Sequence, residues 1–239
     1  MKGWALVTGA SRRIGRIIAL DMAAAGWDII VHYNTSQKEA EKTLIEIQRL
    51  GSRACLASVD LTHTGLVRKL FPFLTEELGP IGALVNNAAV FLPDRLDAEN
   101  NHEKINFDAP RLLSEGFYKQ ALGSGVILNV LDADPTTPDF GHYNASKKKL
   151  AALTLKHAGH FAPRVRVNGI ALGATLRGPR ESLKHFQTLV KKSPLRKPID
   201  PVSIAATIRF LIDNEAVTGA VVPVDGGLHL KSGKSGEAL

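Results

Sequence analysis

The 239-residue sequence has little of several features that define special classes of protein. It has one cysteine, Cys55, so no disulfide can form within the chain and a disulfide-stabilised mini-fold is excluded. No apolar run approaches the roughly 18 residues that a membrane-spanning helix needs. The first residues enter an apolar strand pattern at once, without the basic, apolar and small-residue segments of a signal peptide. We therefore expect a soluble, cytoplasmic protein that does not bind membranes.

Acidic residues are fewer than basic ones, 23 against 30, which gives a formal net charge of +7. A basic chain raises nucleic acid as a partner. The lysines and arginines are spread along the sequence, however, and neither a helix-turn-helix spacing nor an interleaved basic and aromatic pattern is present. We therefore expect an anionic small molecule as ligand and no nucleic-acid partner.

Short runs rich in Val, Ile and Leu alternate with longer segments of helical period, which is typical of a parallel sheet with crossover helices. In the first such segment Ile14, Ile18 and Met22 recur on one helical face. No linker or internal repeat divides the chain, so we predict one α/β domain over residues 1–232 and a polar tail over residues 233–239. The predicted strands lie near residues 3–8, 27–33, 53–58, 82–86, 125–131, 164–170 and 219–223.

A glycine-rich turn lies between the first predicted strand and the first helix, in the stretch ALVTGASRRIGRIIAL. Gly9 can take positive φ, Gly15 permits close helix packing, and the N–H groups of a helix N-terminus bind phosphate. This context favours a dinucleotide site in a Rossmann-type, doubly wound sheet of about seven parallel strands with helices on both faces. A solvated arginine pair is the alternative for residues 12 and 13. The turn is predicted to contribute Gly9, Ser11, Arg12, Arg13, Ile14 and Gly15.

The sequence after the second predicted strand, VHYNTSQKEA, lacks the carboxylate with which NAD-selective folds hold the ribose hydroxyls. Asn34, Thr35 and Ser36 can donate to a 2′-phosphate that a carboxylate would repel. A helix N-cap at Thr35 or Ser36 is an alternative that is compatible with phosphate binding. We therefore predict NADPH/NADP as the cofactor, with contacts from Tyr33, Asn34, Thr35 and Ser36.

Tyr143 and Lys147 lie four residues apart, so both side chains project from one face of a helix. A lysine cation near a phenol lowers the tyrosine pKa and suits it to proton exchange near neutral pH. Such pairs occur by chance in many helices, but this one follows an apolar strand in a chain with a dinucleotide turn. Asp132 ends that strand. It is either a turn-capping residue or, when protonated, a proton donor to a ring nitrogen.

The TGASRRIG turn, the NNAAVF stretch, Asn106 and the Tyr143/Lys147 pair together resemble the short-chain dehydrogenase/reductase family, from residue 2 to about residue 230. The resemblance implies that Asn106, Tyr143 and Lys147 are catalytic, that Lys147 also holds a cofactor ribose, and that the protein is a homotetramer. The histidines show no metal-ligand spacing, and no metal is expected. Further cofactor contacts implied by the resemblance come from Asp60, Leu61, Asn87 and Ala88.

Within that family, Arg13 in the turn, Phe91 after the paired asparagines and Asp132 in place of the usual serine resemble the pteridine reductases. This resemblance implies hydride transfer to a pterin ring that stacks on Phe91, with substrate contacts from Arg13, Phe91, Asp132 and Tyr143. One alternative is a carbonyl reductase for ketoacyl or sugar substrates, with Asp132 and Phe91 in plain structural roles. Another is a catalytically silent cofactor sensor, against which the intact catalytic set argues.

Overall fold

The computed structural model describes residues 2–97, 99–121, 123–133, 139–178 and 182–231. The strands are β1 (Trp4–Val7), β2 (Asp28–Tyr33), β3 (Ala54–Ser58), β4 (Ile81–Asn86), β5 (Gly125–Asp132), β6 (Val165–Leu172) and β7 (Val221–Val224). They form one sheet in the order β3–β2–β1–β4–β5–β6–β7, and every neighbouring pair is parallel.

Helices connect successive strands, as parallel neighbours require. A π-helical turn (Lys104–Asp108) joins two of them, α4 and α5. No helix among the described residues is both long enough and apolar enough to cross a membrane. The helices are α1 (Arg13–Ala24), α2 (Gln37–Arg49), α3 (Thr64–Leu78), α4 (Asn101–Glu103), α5 (Ala109–Gln120), α6 (Gly141–Phe161), α7 (Leu183–Lys192) and α8 (Pro201–Asp213).

Both faces of the sheet are covered, so alternate residues of one strand enter different cores. Ala5 and Val7 of β1 pack with residues of α1, α2 and α8. Leu6, on the other face, packs with residues of α3, α5 and α6. The predicted doubly wound sheet with helices on both faces is therefore confirmed.

The strand predictions agree with the structure in number, order along the chain and approximate position. The fifth and sixth strands extend further than predicted, to Asp132 and Leu172. Ile18 and Met22 are buried against the sheet, as the helical period of α1 indicates. The predicted domain limit at residue 232 and the polar tail lie outside the described residues.

The chain order of the strands reverses between β1 and β4, which are neighbours in the sheet. In doubly wound sheets, ligands bind outside the carboxyl ends of the strands at such a switch point. The turn after β1, the paired asparagines at the end of β4 and the end of β5 all meet there. The fold thus places the predicted cofactor and catalytic residues together at the carboxyl ends of the central strands.

Candidate active site

The turn between β1 and α1 depends on two glycines. Gly9 has φ of +65°, in the left-handed region that favours glycine. A Cβ on Gly15 would lie 2.2 Å from the carbonyl oxygen of Gly9, so α1 can start this close to the turn only with glycine there. Arg12 is the N-cap of α1, and its side chain makes no capping hydrogen bond. The first N–H groups of α1 therefore suit an anion.

Thr8 joins the ends of the two strands at the switch point. Its hydroxyl oxygen accepts from the N–H groups of Asn87 at 2.9 Å and Ala88 at 3.0 Å, and donates to the carbonyl of Val85 at 3.3 Å. The Asn87 amide donates to the carbonyl of Thr8 at 2.8 Å. Asn87 and Ala88 thus lie beside the glycine-rich turn, as predicted for cofactor neighbours. Thr8 was missed, although it stands directly before Gly9.

His32 holds the glycine-rich turn from the neighbouring strand β2. Its Nδ1 accepts from the N–H of Gly9 at 3.1 Å, and its Nε2 lies 3.0 Å from the carbonyl of Val59. Burial lowers the pKa of His32 to about 4, although the bond to Val59 acts in the opposite direction. The ring is therefore neutral, with its proton on Nε2. A single histidine in an apolar strand gives no sequence signal for this role.

The residues predicted to select the cofactor follow β2. Asn34 and Thr35 are exposed, while Tyr33 is buried. Ser36 is the N-cap residue of α2, which agrees with the N-cap alternative, but its side chain makes no capping hydrogen bond.

The end of β3 supplies the other predicted neighbours of the nucleotide. The carboxylate of Asp60 accepts from the N–H and the hydroxyl of Thr62, at 2.9 and 2.8 Å. Its pKa is lowered, chiefly by the Thr62 N–H, and a hydrogen bond with the Asn34 side chain acts in the same direction. Leu61 is buried beside it. Asp60 is thereby fixed, and it holds Asn34 at the same edge of the sheet.

Arg13, in the glycine-rich turn, has the backbone conformation that favours glycine, with φ of +55°. Its guanidinium Nη2 donates to the carbonyls of Leu176 at 3.0 Å and Arg177 at 3.1 Å. Those carbonyls belong to the segment that follows β6. Arg13 therefore connects the glycine-rich turn to the segment that follows β6. The side chain of Arg12 is exposed.

The catalytic pair predicted on one helix lies near the start of α6, against the end of β5. The hydroxyl of Tyr143 donates to the carboxylate of Asp132 at 2.9 Å. Burial, with the charge and hydrogen bond of Asp132, raises the pKa of Tyr143 well above its usual value. The prediction of a lowered Tyr143 pKa is wrong for this arrangement, because burial and Asp132 raise it.

Lys147 is buried and donates to the carbonyl of Val130 at 2.9 Å. Its Nζ lies 5.8 Å from the centre of the Tyr143 ring. Burial lowers the pKa of Lys147 to about 8, against the attraction of Asp132, which raises it. The three side chains form one cluster in which an acid, a phenol and an amine share a poorly solvated site.

Asn106 lies in the π-helical turn and is fully buried. Its amide oxygen accepts from the N–H of Val90 at 2.9 Å, and its amide nitrogen donates to the Val90 carbonyl at 3.0 Å. The same nitrogen donates to the hydroxyl of Ser146 at 3.2 Å. Asn106 thus ties the loop after β4 to α6, next to Lys147.

An aromatic cluster lies beside Tyr143. Phe91 stacks on Phe140, with ring centres 4.2 Å apart, and meets Tyr143 at 4.7 Å with the ring planes nearly perpendicular. The side chain of Phe91 remains 48% exposed, so it offers an apolar surface beside the tyrosine. Phe140 was not predicted, because no pattern in the sequence pairs it with Phe91.

The chain is similar to known proteins in both sequence and structure. A family model described as Enoyl-(Acyl carrier protein) reductase, from the short-chain dehydrogenases/reductases, matches residues 9–229. The chain belongs to the short-chain dehydrogenase/reductase family. The family predicted from the glycine-rich turn and the Tyr143/Lys147 pair is therefore confirmed.

Two curated proteins that are similar to the chain are 3-oxoacyl-[acyl-carrier-protein] reductases. The 3-oxoacyl-[acyl-carrier-protein] reductase of Synechocystis sp. is 30% identical over 237 residues, which cover 94% of this chain and 96% of the relative. The 3-oxoacyl-[acyl-carrier-protein] reductase FabG of Staphylococcus epidermidis is 27% identical over 240 residues, covering 95% and 98%.

Two solved structures that are similar to the chain are named as dihydrofolate reductases. FolM alternative dihydrofolate reductase 1 from Brucella canis, complexed with NADP, has a TM-score of 0.88 and 33% identity, and the match covers 98% of this chain and 95% of that one. The Brucella suis protein of the same name, also in complex with NADP, has a TM-score of 0.87 and 34% identity, covering 98% and 96%.

The start of α6 in this short-chain dehydrogenase/reductase is capped from a distant loop. The carboxylate of Asp94 accepts from the N–H groups of Gly141 at 2.8 Å and His142 at 3.0 Å. These bonds, the one from His142 first, lower the pKa of Asp94. The loop after β4 thus fixes α6 one residue before Tyr143.

Proposed function

We propose that the chain is an NADPH-dependent reductase that transfers hydride to a pterin ring, converting a dihydropterin to a tetrahydropterin. The observation that carries this proposal is the double contact of Tyr143, whose hydroxyl donates to Asp132 and whose ring meets the exposed Phe91. A planar heteroaromatic ring gains from an aromatic surface on one face. Reduction at a ring carbon next to nitrogen also needs an acid that delivers a proton to the nitrogen.

The likeness to the two Brucella proteins supports this proposal. Both are named as dihydrofolate reductases, and folates contain a pterin ring. Their identity to this chain, 33 and 34%, is higher than that of the ketoacyl reductases from Synechocystis and Staphylococcus, at 30 and 27%.

The nucleotide end fits NADPH. The uncapped N–H groups at the start of α1 and the positive φ of Gly9 suit a pyrophosphate. The exposed Asn34 and Thr35, together with the exposed Arg12, provide donors and positive charge for a 2′-phosphate. Residues 33–36 contain no carboxylate that would repel it. When bound, NADPH supplies the hydride.

The chain's own residues supply the proton. Tyr143 and Asp132 share a hydrogen bond, so together they hold a proton at the edge of the substrate surface. In the structure Asp132 is the acceptor of this bond, so it must take up a proton from solvent before each transfer. A protonated carboxyl is a stronger acid than a phenol, and we assign the transfer of that proton to the ring nitrogen to Asp132. With a pKa of about 8, Lys147 is mostly charged at neutral pH and suits a ribose hydroxyl. Asn106 fixes the loop that carries Phe91.

The proposal is tested by following NADPH consumption with a dihydropterin and, separately, with a 3-oxoacyl thioester. Asp132→Ser is expected to lower kcat/KM for the dihydropterin about 100-fold or more, since it removes the proposed acid. Asp213→Ser is the matched control, because Asp213 is exposed and pairs with Lys2 away from the site. NADPH affinity should be the same in all three proteins.

The second candidate is a carbonyl reductase, which the ketoacyl relatives favour. The carbonyl reductase replaces the pterin reductase as the function if the parent protein reduces the thioester but no dihydropterin, and if Asp132→Ser still reduces the thioester. A protein that binds NADPH but turns over neither substrate would instead be a cofactor sensor.

A further inference from the structure

We propose that His102, oriented by Asp97, is a positioning residue that holds Phe91 and Tyr143 in place for a planar substrate. The inference rests on the proposed function, because it assigns the affinity for the ring to a buried pair outside the catalytic set. His102 lies in α4 and is fully buried, although sequence patterns give it no role.

The loop after β4 is held on both sides of Phe91. On one side Asn106 bonds the N–H and the carbonyl of Val90. On the other side the N–H of Leu92 donates to Nε2 of His102 at 3.1 Å. Two buried side chains therefore fix the backbone that precedes and follows Phe91, although half of the Phe91 side chain is exposed.

Asp97 determines which nitrogen of His102 accepts. Nδ1 lies 2.6 Å from the Asp97 carboxylate, which also accepts from the N–H groups of Asn101 at 2.6 Å and His102 at 3.2 Å. Burial opposes ionisation of Asp97, yet these hydrogen bonds lower its pKa. An ionised carboxylate is only an acceptor, so Nδ1 carries the proton and Nε2 presents its lone pair to Leu92.

The same ring also contacts the catalytic tyrosine. The ring centres of His102 and Tyr143 lie 5.9 Å apart, with the planes at 74°. His102 thus supports the aromatic surface through Leu92 and the phenol through direct packing. Because one residue supports both groups, its loss should alter their mutual placement.

A metal site is the competing interpretation of this cluster. Asp97, His102 and His142 bring one donor atom each within 4.8 Å of one another. Both ring nitrogens of His102 already have protein partners, however, so ligation would cost its bond to Asp97 or to Leu92. The geometry therefore favours positioning over metal binding.

Amide hydrogen exchange in the protein without ligands tests the inference independently of the substrate. His102→Phe keeps a ring but removes the acceptor, and the Leu92 amide is expected to exchange about tenfold faster or more, as the loss of one buried hydrogen bond implies. The Val90 amide, held by Asn106, should change little. His102→Gln offers an acceptor and should restore much of the protection. His157→Gln is the control, a buried histidine that packs on Phe161.

Kinetics supply the second measurement. With the dihydropterin, His102→Phe should raise KM about tenfold, with a smaller change in kcat and none in NADPH affinity. In a Phe91→Leu background the same substitution should raise KM far less, because its effect passes through Phe91. Should His102→Phe fail to fold, His102→Leu, with a smaller side chain, takes its place.

The inference is overturned if Leu92 exchange is the same in the parent and the variant, or if the two substitutions act additively on KM. A parent that does not reduce any dihydropterin refutes the proposed function alone, since Leu92 exchange still decides the role of His102. Zinc that binds the parent and slows Leu92 exchange further would favour the metal site and count against the positioning role.

Discussion

At the scale of single residues, His32 shows how a buried titratable group holds the glycine-rich turn only in its neutral form. Its Nδ1 accepts the Gly9 N–H, a bond that a protonated ring cannot make. Protonation would therefore release the turn from β2. The chain meets this requirement by burying the ring, which lowers its pKa to about 4.

This shift predicts a loss of stability in acid. Between pH 6.5 and 4 the unfolded state binds a proton at His32 that the folded state does not, so the free energy of unfolding falls as pH drops. From pH 7 to pH 5 the contribution is about 2 kcal/mol. Urea unfolding at both pH values measures it, and in His32→Gln the pH-dependent loss should shrink by about that amount.

His157 must be considered in the same experiment, because burial lowers its pKa to about 4 as well. His157→Gln therefore serves as a second reference for the pH dependence. Equal pH-dependent losses in the parent and in His32→Gln would show that His32 is protonated to the same extent in the folded and unfolded states.

The type and spacing of Tyr143, Lys147 and Asp132 marked them as site candidates in the sequence, and the structure brings their side chains together. His32 and His102 were missed, because each binds the N–H group of a residue that is distant in sequence. Strand order brings Gly9 to His32, and loop packing brings Leu92 to His102. The predicted direction of the Tyr143 pKa shift was wrong, since burial and the distance to Asp132 are properties of the folded chain. Spacing along a helix predicts neighbours, but not the solvent around them.

At the scale of elements, the strand–turn–helix unit of β1 and α1 is set by how closely the helix approaches the turn. Gly15 has no room for a Cβ, because the Gly9 carbonyl and the Asn87 amide lie within 2.4 Å of that position. Gly159, near the end of α6, has no atom within 4 Å of the same position. The two glycines are thus both helical but face different surroundings.

Replacing each with alanine should change stability in opposite directions. Gly15→Ala is expected to lower the free energy of unfolding by about 1–3 kcal/mol through overpacking, and to weaken NADPH binding. Gly159→Ala should raise it by about 0.5–1 kcal/mol, because alanine favours the helix. Chemical denaturation measures both changes. A neutral Gly15→Ala would mean that α1 can shift away from the turn without cost.

The regular elements could be predicted because their pattern is local: apolar runs mark buried strands, and the period of α1 marks its inner face. The π-helical turn could not be predicted. Asn106, which lies in this turn, forms hydrogen bonds with Val90 and Ser146, and both residues are distant in sequence. The cap of α6 by Asp94 was missed for the same reason, because that carboxylate lies 47 residues before the helix N–H that it binds.

At the scale of the whole molecule, the homotetramer implied by the family resemblance remains a proposal. The structure shows that α6 buries one face, including Lys147 and Leu150, while Leu155 is 55% exposed on another. An exposed leucine on a long helix suits a contact with a second copy, since burying it would gain about 2 kcal/mol per subunit. Such a contact would also brace the helix that carries Tyr143.

Sedimentation velocity tests this proposal. The parent should sediment as a tetramer, and Leu155→Asp should shift it to smaller species at the same concentration, because a carboxylate would be buried without a partner. Leu50→Asp is the matched control, since Leu50 has a similar exposed fraction, 51%, at the end of α2. If the variant stays tetrameric, α6 does not form the contact through Leu155. If the parent is a monomer, the helix that carries Tyr143 is held by contacts within one chain, among them those with Asp94 and Asn106.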